Sequence, residues 1–300
     1  MAESGGVERR LAGRFSRLGR AGALGRVPVL GERVQLTSLK VEGAGPFGAL
    51  RLEQLRKLIV FGNTYGVDTW GDLTVGDFDG DGHADVFAWT GTTWVYSPWG
   101  HREWRFLNAS RVSFSHLAFG DFNGDGKTDV FTQRGDEWLV SYGGTSGWQP
   151  LPAGSAIPMR DYRFGDFDGD KKTDVFRANG ARFYYSSGGA TTWQPLATSH
   201  FTVDRLRFGD FNGDGRTDIA RTHDGNWQVS WGGATSWQTL QRQPGARLSG
   251  MLFGDFTGDK RADVLQFQTN GTPIPIPLER FRLSSGGVGP LGRWSLQDMR

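Results

Sequence analysis

An all-β fold of repeated four-stranded units is predicted by three observations. A ten-residue string rich in Asp and Gly recurs five times, beginning at Gly76, Gly120, Gly165, Gly209 and Gly254, so the spacings are 44, 45, 44 and 45 residues. Each recurrence is followed by short apolar runs separated by turn residues, with no sustained 3.6-residue apolar period. Gly is high at 46 residues and Trp at 12, a composition of short strands and tight turns. Four short strands in a unit of this length make a propeller blade, which buries its two faces only by stacking on its neighbours. The predicted architecture is therefore a β-propeller with five clear repeats.

Taken in chain order, residues 1–30 are Arg-rich (Arg9, Arg10, Arg14, Arg17, Arg20, Arg26) and Gly-rich, and read as a basic, disordered segment. Residues 1–60 hold 11 Lys/Arg and 5 Asp/Glu, a net of +6, so the other 240 residues carry −4 to reach the chain's +2. The apolar run at 21–30 is broken by Arg26 and makes a poor signal-peptide core. No stretch is long and apolar enough for a transmembrane helix. Residues 31–68 read as a linker or as a sixth, degenerate blade, with strand-like Val34–Leu36 and Leu58–Phe61. The five repeats occupy residues 69–299.

Copy two shows the expected strands: Ser115–Phe119, Thr128–Gln133, Glu137–Tyr142 and Trp148–Leu151. An aromatic residue stands 17 positions after the first Asp of the loop in four copies, as Trp94, Trp138, Phe183 and Trp227. A Gly pair follows, at Gly143–Gly144, Gly188–Gly189 and Gly232–Gly233. Then comes another Trp, at Trp104, Trp148, Trp193 and Trp237. These recurring aromatics read as packing between blades.

The repeated loop has the form D-x-[DNT]-x-D-x-x-x-D. Its candidate metal ligands are Asp77, Asp79, Asp81 and Asp85 in copy one, and Asp121, Asn123, Asp125 and Asp129 in copy two. Copy three has Asp166, Asp168, Asp170 and Asp174, copy four Asp210, Asn212, Asp214 and Asp218, and copy five Asp255, Thr257, Asp259 and Asp263. Position seven, at His83, Lys127, Lys172, Arg216 and Arg261, offers a backbone carbonyl. Clustered carboxylates repel without a cation, and Ca²⁺ takes six to eight hard oxygen ligands, whereas Mg²⁺ keeps its waters. Zinc does not suit a set without Cys or ligating His, and the chain has no Cys at all. The first half of the loop matches an EF-hand loop, but no Glu stands at position twelve and a strand-like run follows. Gly82, Gly126 and Gly215 suit a left-handed turn at position six. Lys171 and Lys260 there cost roughly 1 kcal/mol. With Thr257 as a weaker ligand, copy five is expected to bind most weakly.

The motif F-G-D-F-[DN]-G-D-G-x-x-D resembles the FG-GAP and VCBS repeats of integrin α-subunit propellers and of bacterial secreted or surface proteins, over about three quarters of the chain. The resemblance implies a calcium-binding propeller with up to five Ca²⁺, an extracellular or cell-surface location, and adhesion or ligand recognition. Such repeats are also appended to secreted hydrolases and toxins, so a non-catalytic accessory or spacer role is the alternative.

No catalytic constellation is visible. The five His residues do not recur at a repeat position, and neither a Ser/His/Asp pattern nor a phosphate-binding loop is present. The expected partner is a glycan or protein. Nucleic acid is not expected, since the net negative repeat region has no basic stripe interleaved with aromatics. Aromatics that break the repeat, Trp89, Trp99 and Trp231, are the candidate ligand-binding residues.

Overall fold

A computed structural model describes residues 73–100, 102–242, 251–254, 259–267, 281–284 and 292–294, mostly as backbone beyond residue 240. Blade one comprises β1 (Leu73–Gly76), β2 (Asp85–Trp89), β3 (Thr93–Ser97) and β4 (Arg105–Ala109). Blade two comprises β5 (Ala118–Gly120), β6 (Asp129–Arg134), β7 (Glu137–Ser141) and β8 (Gln149–Gly154). Blade three holds β9 (Tyr162–Gly165), β10 (Asp174–Ala178), β11 (Arg182–Ser186) and β12 (Gln194–Thr198). Blade four holds β13 (Arg207–Gly209), β14 (Asp218–His223), β15 (Asn226–Ser230) and β16 (Gln238–Arg242). The fifth repeat adds β17 (Met251–Gly254), β18 (Asp263–Phe267), β19 (Phe281–Ser284) and β20 (Gly292–Trp294).

Each set pairs antiparallel in chain order, as a four-stranded meander. The fold is an all-β propeller of four-stranded antiparallel blades. Strands and connections together are described for four blades rather than for the five or six that the sequence suggests. The fifth repeat contributes its strands but not all of its connections, and the sixth-blade candidate at residues 31–68 lies outside the described residues, as does the basic segment at 1–30. Among the described residues no helix is long and apolar enough to cross a membrane.

The strands of copy two differ from expectation at their ends. A 3₁₀ turn at Phe114–His116 takes the start of the expected first strand, because buried Phe114 anchors the chain before it straightens. The last strand runs further, to Gly154, and carries Pro150 and Pro152. It is the outer edge of its sheet, where a missing N–H breaks no ladder.

Packing between blades repeats as strictly as the loop. In blades one to three the Phe after the first Asp stacks on a Phe of its own second strand and meets the first-strand Phe of the next blade. In blade two, Phe122 lies 5.3 Å from Phe131, and Phe164 of blade three sits 6.0 and 5.1 Å from these two rings. Blades one and three repeat this with Phe78, Phe87 and Phe119, and with Phe167, Phe176 and Phe208. Further out, the third-strand aromatic meets the Trp that follows the Gly pair of the next blade. Trp94–Trp148, Trp138–Trp193 and Phe183–Trp237 are all edge-on, at 5.4, 5.5 and 6.2 Å. Edge-to-face pairs of this kind add to the burial of the rings themselves.

The Gly that opens each loop is required by the neighbouring blade. A Cβ on Gly120 would lie 2.5 Å from both Oγ1 and Cγ2 of Thr173. Blade three comes this close because the Thr173 N–H donates to the Asp121 carbonyl while the Asp121 N–H donates to Thr173 Oγ1 at 2.9 Å. Replacing Gly120 by Ala is expected to cost about 1–3 kcal/mol by overpacking. A thermal melt reads this as a lower Tm, and an unchanged Tm would mean that the blades are not held at this spacing.

Candidate metal centres

Each loop leaves a first strand at its Asp and enters a second strand at its last Asp, so strand pairing sets the distance between positions one and nine. In blade two, Gly120 pairs with Asp129 directly. The turn between is closed by carboxylates. Asp121 Oδ1 accepts from the Gly124 N–H at 2.7 Å, and its Oδ2 from the Gly126 N–H at 2.9 Å. Asp77, Asp166 and Asp210 accept from their own loops in the same way. The tightness of this turn places position six at positive φ. Lys171 and Lys260 adopt it, with φ of 69° and 68°, at the left-handed cost expected for a side chain there.

The ninth-position Asp is the most buried group of the loop. Asp129 Oδ2 accepts from the Phe122 N–H at 2.8 Å, and Oδ1 from the Gly143 N–H at 2.7 Å. Asp85, Asp174 and Asp218 accept from the corresponding Phe and from the middle residue of the 3₁₀ turn between strands three and four. One carboxylate thus joins the metal loop to the second turn at the same end of the blade. Burial raises the carboxyl of Asp85, Asp129 and Asp218 from 3.8 to about 7 and that of Asp174 to about 8, against the lowering effect of the two amide donors. Burial raises Asp77, Asp121, Asp166 and Asp210 too, with neighbouring carboxylates adding to the rise.

Positions one, three and nine converge. One oxygen from each of Asp77, Asp79 and Asp85 lies within 4.8 Å of the others, and Asp166, Asp168 and Asp174 form the same triad. Asp79 Oδ1 is buried and accepts no hydrogen bond, while Arg105 stands 3.7 Å from Oδ2. A buried carboxylate oxygen without a donor is costly, and a hard divalent cation between the three carboxylates supplies what it lacks. The donor set, all oxygen and all carboxylate, fits Ca²⁺.

Position five is placed differently from the expectation. Asp81, Asp125, Asp170, Asp214 and Asp259 are exposed, and none joins a triad. Each uses Oδ1 to accept the N–H of position seven, at His83, Lys127, Lys172, Arg216 and Arg261. In copies two and four the Asn at position three donates to its Oδ2, from Asn123 to Asp125 at 3.0 Å and from Asn212 to Asp214 at 2.9 Å. The position-seven side chains lie across the preceding loop, where a Cβ on Gly80 would meet Lys127 Cε at 2.9 Å. Asp255 and Thr257 lie outside the described residues.

The three non-repeating Trp residues are not brought together. Trp89 ends the second strand of blade one, at the far end from the metal loop, half-buried against that blade's core. Trp231 lies in the second turn of blade four and donates Nε1–H to Gln238 Oε1 at 3.0 Å. Trp99 sits on metal loop one. Its φ is 59°, at the position where the next three blades have Gly143, Gly188 and Gly232. Its ring stacks on His83 at 4.0 Å, and Nε1–H donates to Asp81 Oδ2 at 2.7 Å. The alignment of Trp99 with a Gly was the available signal for this contact.

Among the described residues, four complete Asp-rich loops, each between the first two strands of a four-stranded blade, define a class of repeat propeller. Residues 166–220 and 210–265 match the FG-GAP-like repeat. No curated protein sequence matches the chain. Among solved structures, the Tc holotoxin pore of Photorhabdus luminescens resembles it at 16% identity with a TM-score of 0.50, covering 67% of this chain and 11% of that one. A GH74 enzyme of Niastella koreensis aligns at 14% identity with a TM-score of 0.39, over 70% of this chain and 29% of that one.

The raised ninth-position carboxyls set a pH dependence for the protein held in chelator. Their folded values exceed the unfolded one, so the native state holds protons that the unfolded chain has released between about pH 4 and pH 7–8. The stability contributed by these groups is full below about pH 4 and falls as pH rises to about 8. Melts in EDTA are expected to show Tm decreasing from pH 5 to pH 8. A Tm rising over that range in EDTA would contradict the burial of these four carboxylates.

Proposed function

We propose that this protein is a calcium-stabilised, non-catalytic recognition module that binds a glycan or protein ligand outside the cell or at its surface. The observation that carries the calcium part is the buried, donorless Asp79 Oδ1 inside the Asp77/Asp79/Asp85 triad, with the same triad recurring at Asp166/Asp168/Asp174. Ca²⁺ at these loops neutralises carboxylates that otherwise oppose folding, so the ion stabilises the native state by mass action. The residues that hold it are those at positions one, three and nine, with position five turned to solvent. Copy five, with Thr257 at position three and Lys260 in a left-handed conformation, is the weakest of the five sites. The recognition part rests on architecture: the blades share a packed core while exposed residues differ from blade to blade, which is how repeat scaffolds vary specificity.

A second reading is a non-catalytic accessory or spacer domain of a larger secreted hydrolase or toxin. The likeness of this fold to one segment of the holotoxin chain is compatible with it. It expects calcium stabilisation without ligand binding.

A melt in EDTA followed by a calcium titration, with magnesium as control, tests the metal centres. Calcium at a hundred times its Kd is expected to add about 2.7 kcal/mol per site, read as a calcium-specific rise in Tm. Asp79→Ala, which removes the position-three oxygen that Asn still supplies in copies two and four, should remove loop one's share of the rise. A Tm unmoved by calcium sinks the proposal's metal half, and glycan and protein arrays probed in calcium separate recognition from spacer.

A further inference from the structure

Positions on the second strand three residues past the ninth-position Asp are Ala88, Thr132, Arg177 and Arg221 in blades one to four. The two arginines lie directly opposite Tyr184 and Gln228 on their third strands. Both guanidiniums are clamped on aromatic faces. Arg221 lies 4.2 Å from the Phe201 and Trp237 ring centroids. Arg177 lies 5.0 Å from Tyr184 and 4.4 Å from Trp193.

Their hydrogen bonding differs. Arg221 donates from Nε and Nη2 to Gln228 Oε1, at 2.9 and 2.6 Å. In blade three Tyr184 takes the place of that glutamine and offers only its ring. Arg177 Nε is buried with no acceptor, and no described residue accepts from the rest of the guanidinium or pairs with its charge. An arginine oriented by two rings, with its planar fork unmatched, is an incomplete site. Buried donors are almost always satisfied, so the missing acceptor is to be sought beyond the described residues, and a bound ligand can supply it.

We infer that Arg177, Tyr184 and Trp193 form a subsite for a carboxylate-bearing sugar, with the carboxylate accepting from Arg177 and the pyranose lying against the flanking rings. The guanidinium fork matches a carboxylate in two parallel hydrogen bonds. Tyr184 and Trp193 are half-buried, and Trp193 also packs against Trp138 and Tyr162. Such rings suit the flat face of a sugar better than the flexible side chain of an acidic peptide. Blade four, with Gln228 already in place, is the built-in control for this arrangement. The inference rests on the recognition reading and gives it a ligand class.

The test uses the full chain in calcium, with galacturonate, glucuronate and N-acetylneuraminate as probes in ligand-observed NMR, and with galactose, L-glutamate and inorganic phosphate beside them. At least one carboxylated sugar is expected to bind saturably and more tightly than galactose, glutamate or phosphate. Arg177→Met keeps the side-chain stem on Trp193 and should weaken that binding about tenfold or more, while Arg221→Met leaves it unchanged. Should Arg177→Met melt abnormally, Tyr184→Gln gives the same readout with the arginine kept, since the new amide takes the fork as Gln228 does and binding is lost. Absence of binding by all three acidic sugars, or binding as tight in Arg177→Met and Tyr184→Gln as in the unsubstituted protein, overturns the inference. Glutamate or phosphate binding as tightly as the sugars overturns the sugar assignment in favour of a general anion site. Galactose binding that survives every variant leaves the recognition reading standing without this subsite. A calcium-independent melt removes the metal proposal alone, because the sugar titration can be repeated in EDTA.

Discussion

The carboxylate at the ninth position of each loop is the interaction on which the blade depends. Asp129 is buried at the end of the second strand and holds two backbone N–H groups from different turns, those of Phe122 and Gly143. Without it, the loop after the first strand and the turn after the third would each leave a donor unsatisfied at the same crowded end. Its burial is also a liability, since a carboxylate in such a place resists ionisation. The fold keeps an anion where it costs most, and this explains why further oxygens gather beside it. Asp79 and Asp168 add charge to a place already short of solvent, an arrangement that makes physical sense with a cation between them.

The aromatic layers follow from the same geometry. The Phe that donates its N–H to the ninth-position Asp is also the Phe that stacks on its own second strand and meets the next blade. Loop closure and blade packing are therefore two functions of one residue. A change that loosened the loop would tilt this ring and be felt in the neighbouring blade. The core and the candidate metal sites cannot be varied independently, whereas the second-strand position of Arg177 and Arg221 holds Ala88 and Thr132 in the other two blades.

Much of this was legible because the information is local and repeated five times. Loop spacing, the turn at position six and the pairing of Trp138 with the aromatic layer all follow from residues close in sequence or at equal repeat positions. The left-handed Lys171 and Lys260 were legible for the same reason. What escaped depends on register and direction. Asp125 belongs to the same motif as Asp121 and Asp129, yet its side chain turns to solvent because the position-seven N–H and the Asn123 amide hold it there. Phe114 shortens the first strand through burial that no periodicity announces. The unmatched fork of Arg177 appears only once Tyr184 is known to lie opposite it.

The backbone-to-backbone hydrogen bonds between loops run one way along the chain. Thr128 donates its N–H to the Asp77 carbonyl, Thr173 to that of Asp121, Thr217 to that of Asp166 and Ala262 to that of Asp210. Each blade therefore docks its loop on the one made before it. Repeat proteins of this kind gain stability from nearest-neighbour interfaces, and domains emerge from the ribosome with the N-terminal part first. A blade emerging from the ribosome therefore meets its acceptor carbonyl on a blade that has already been made.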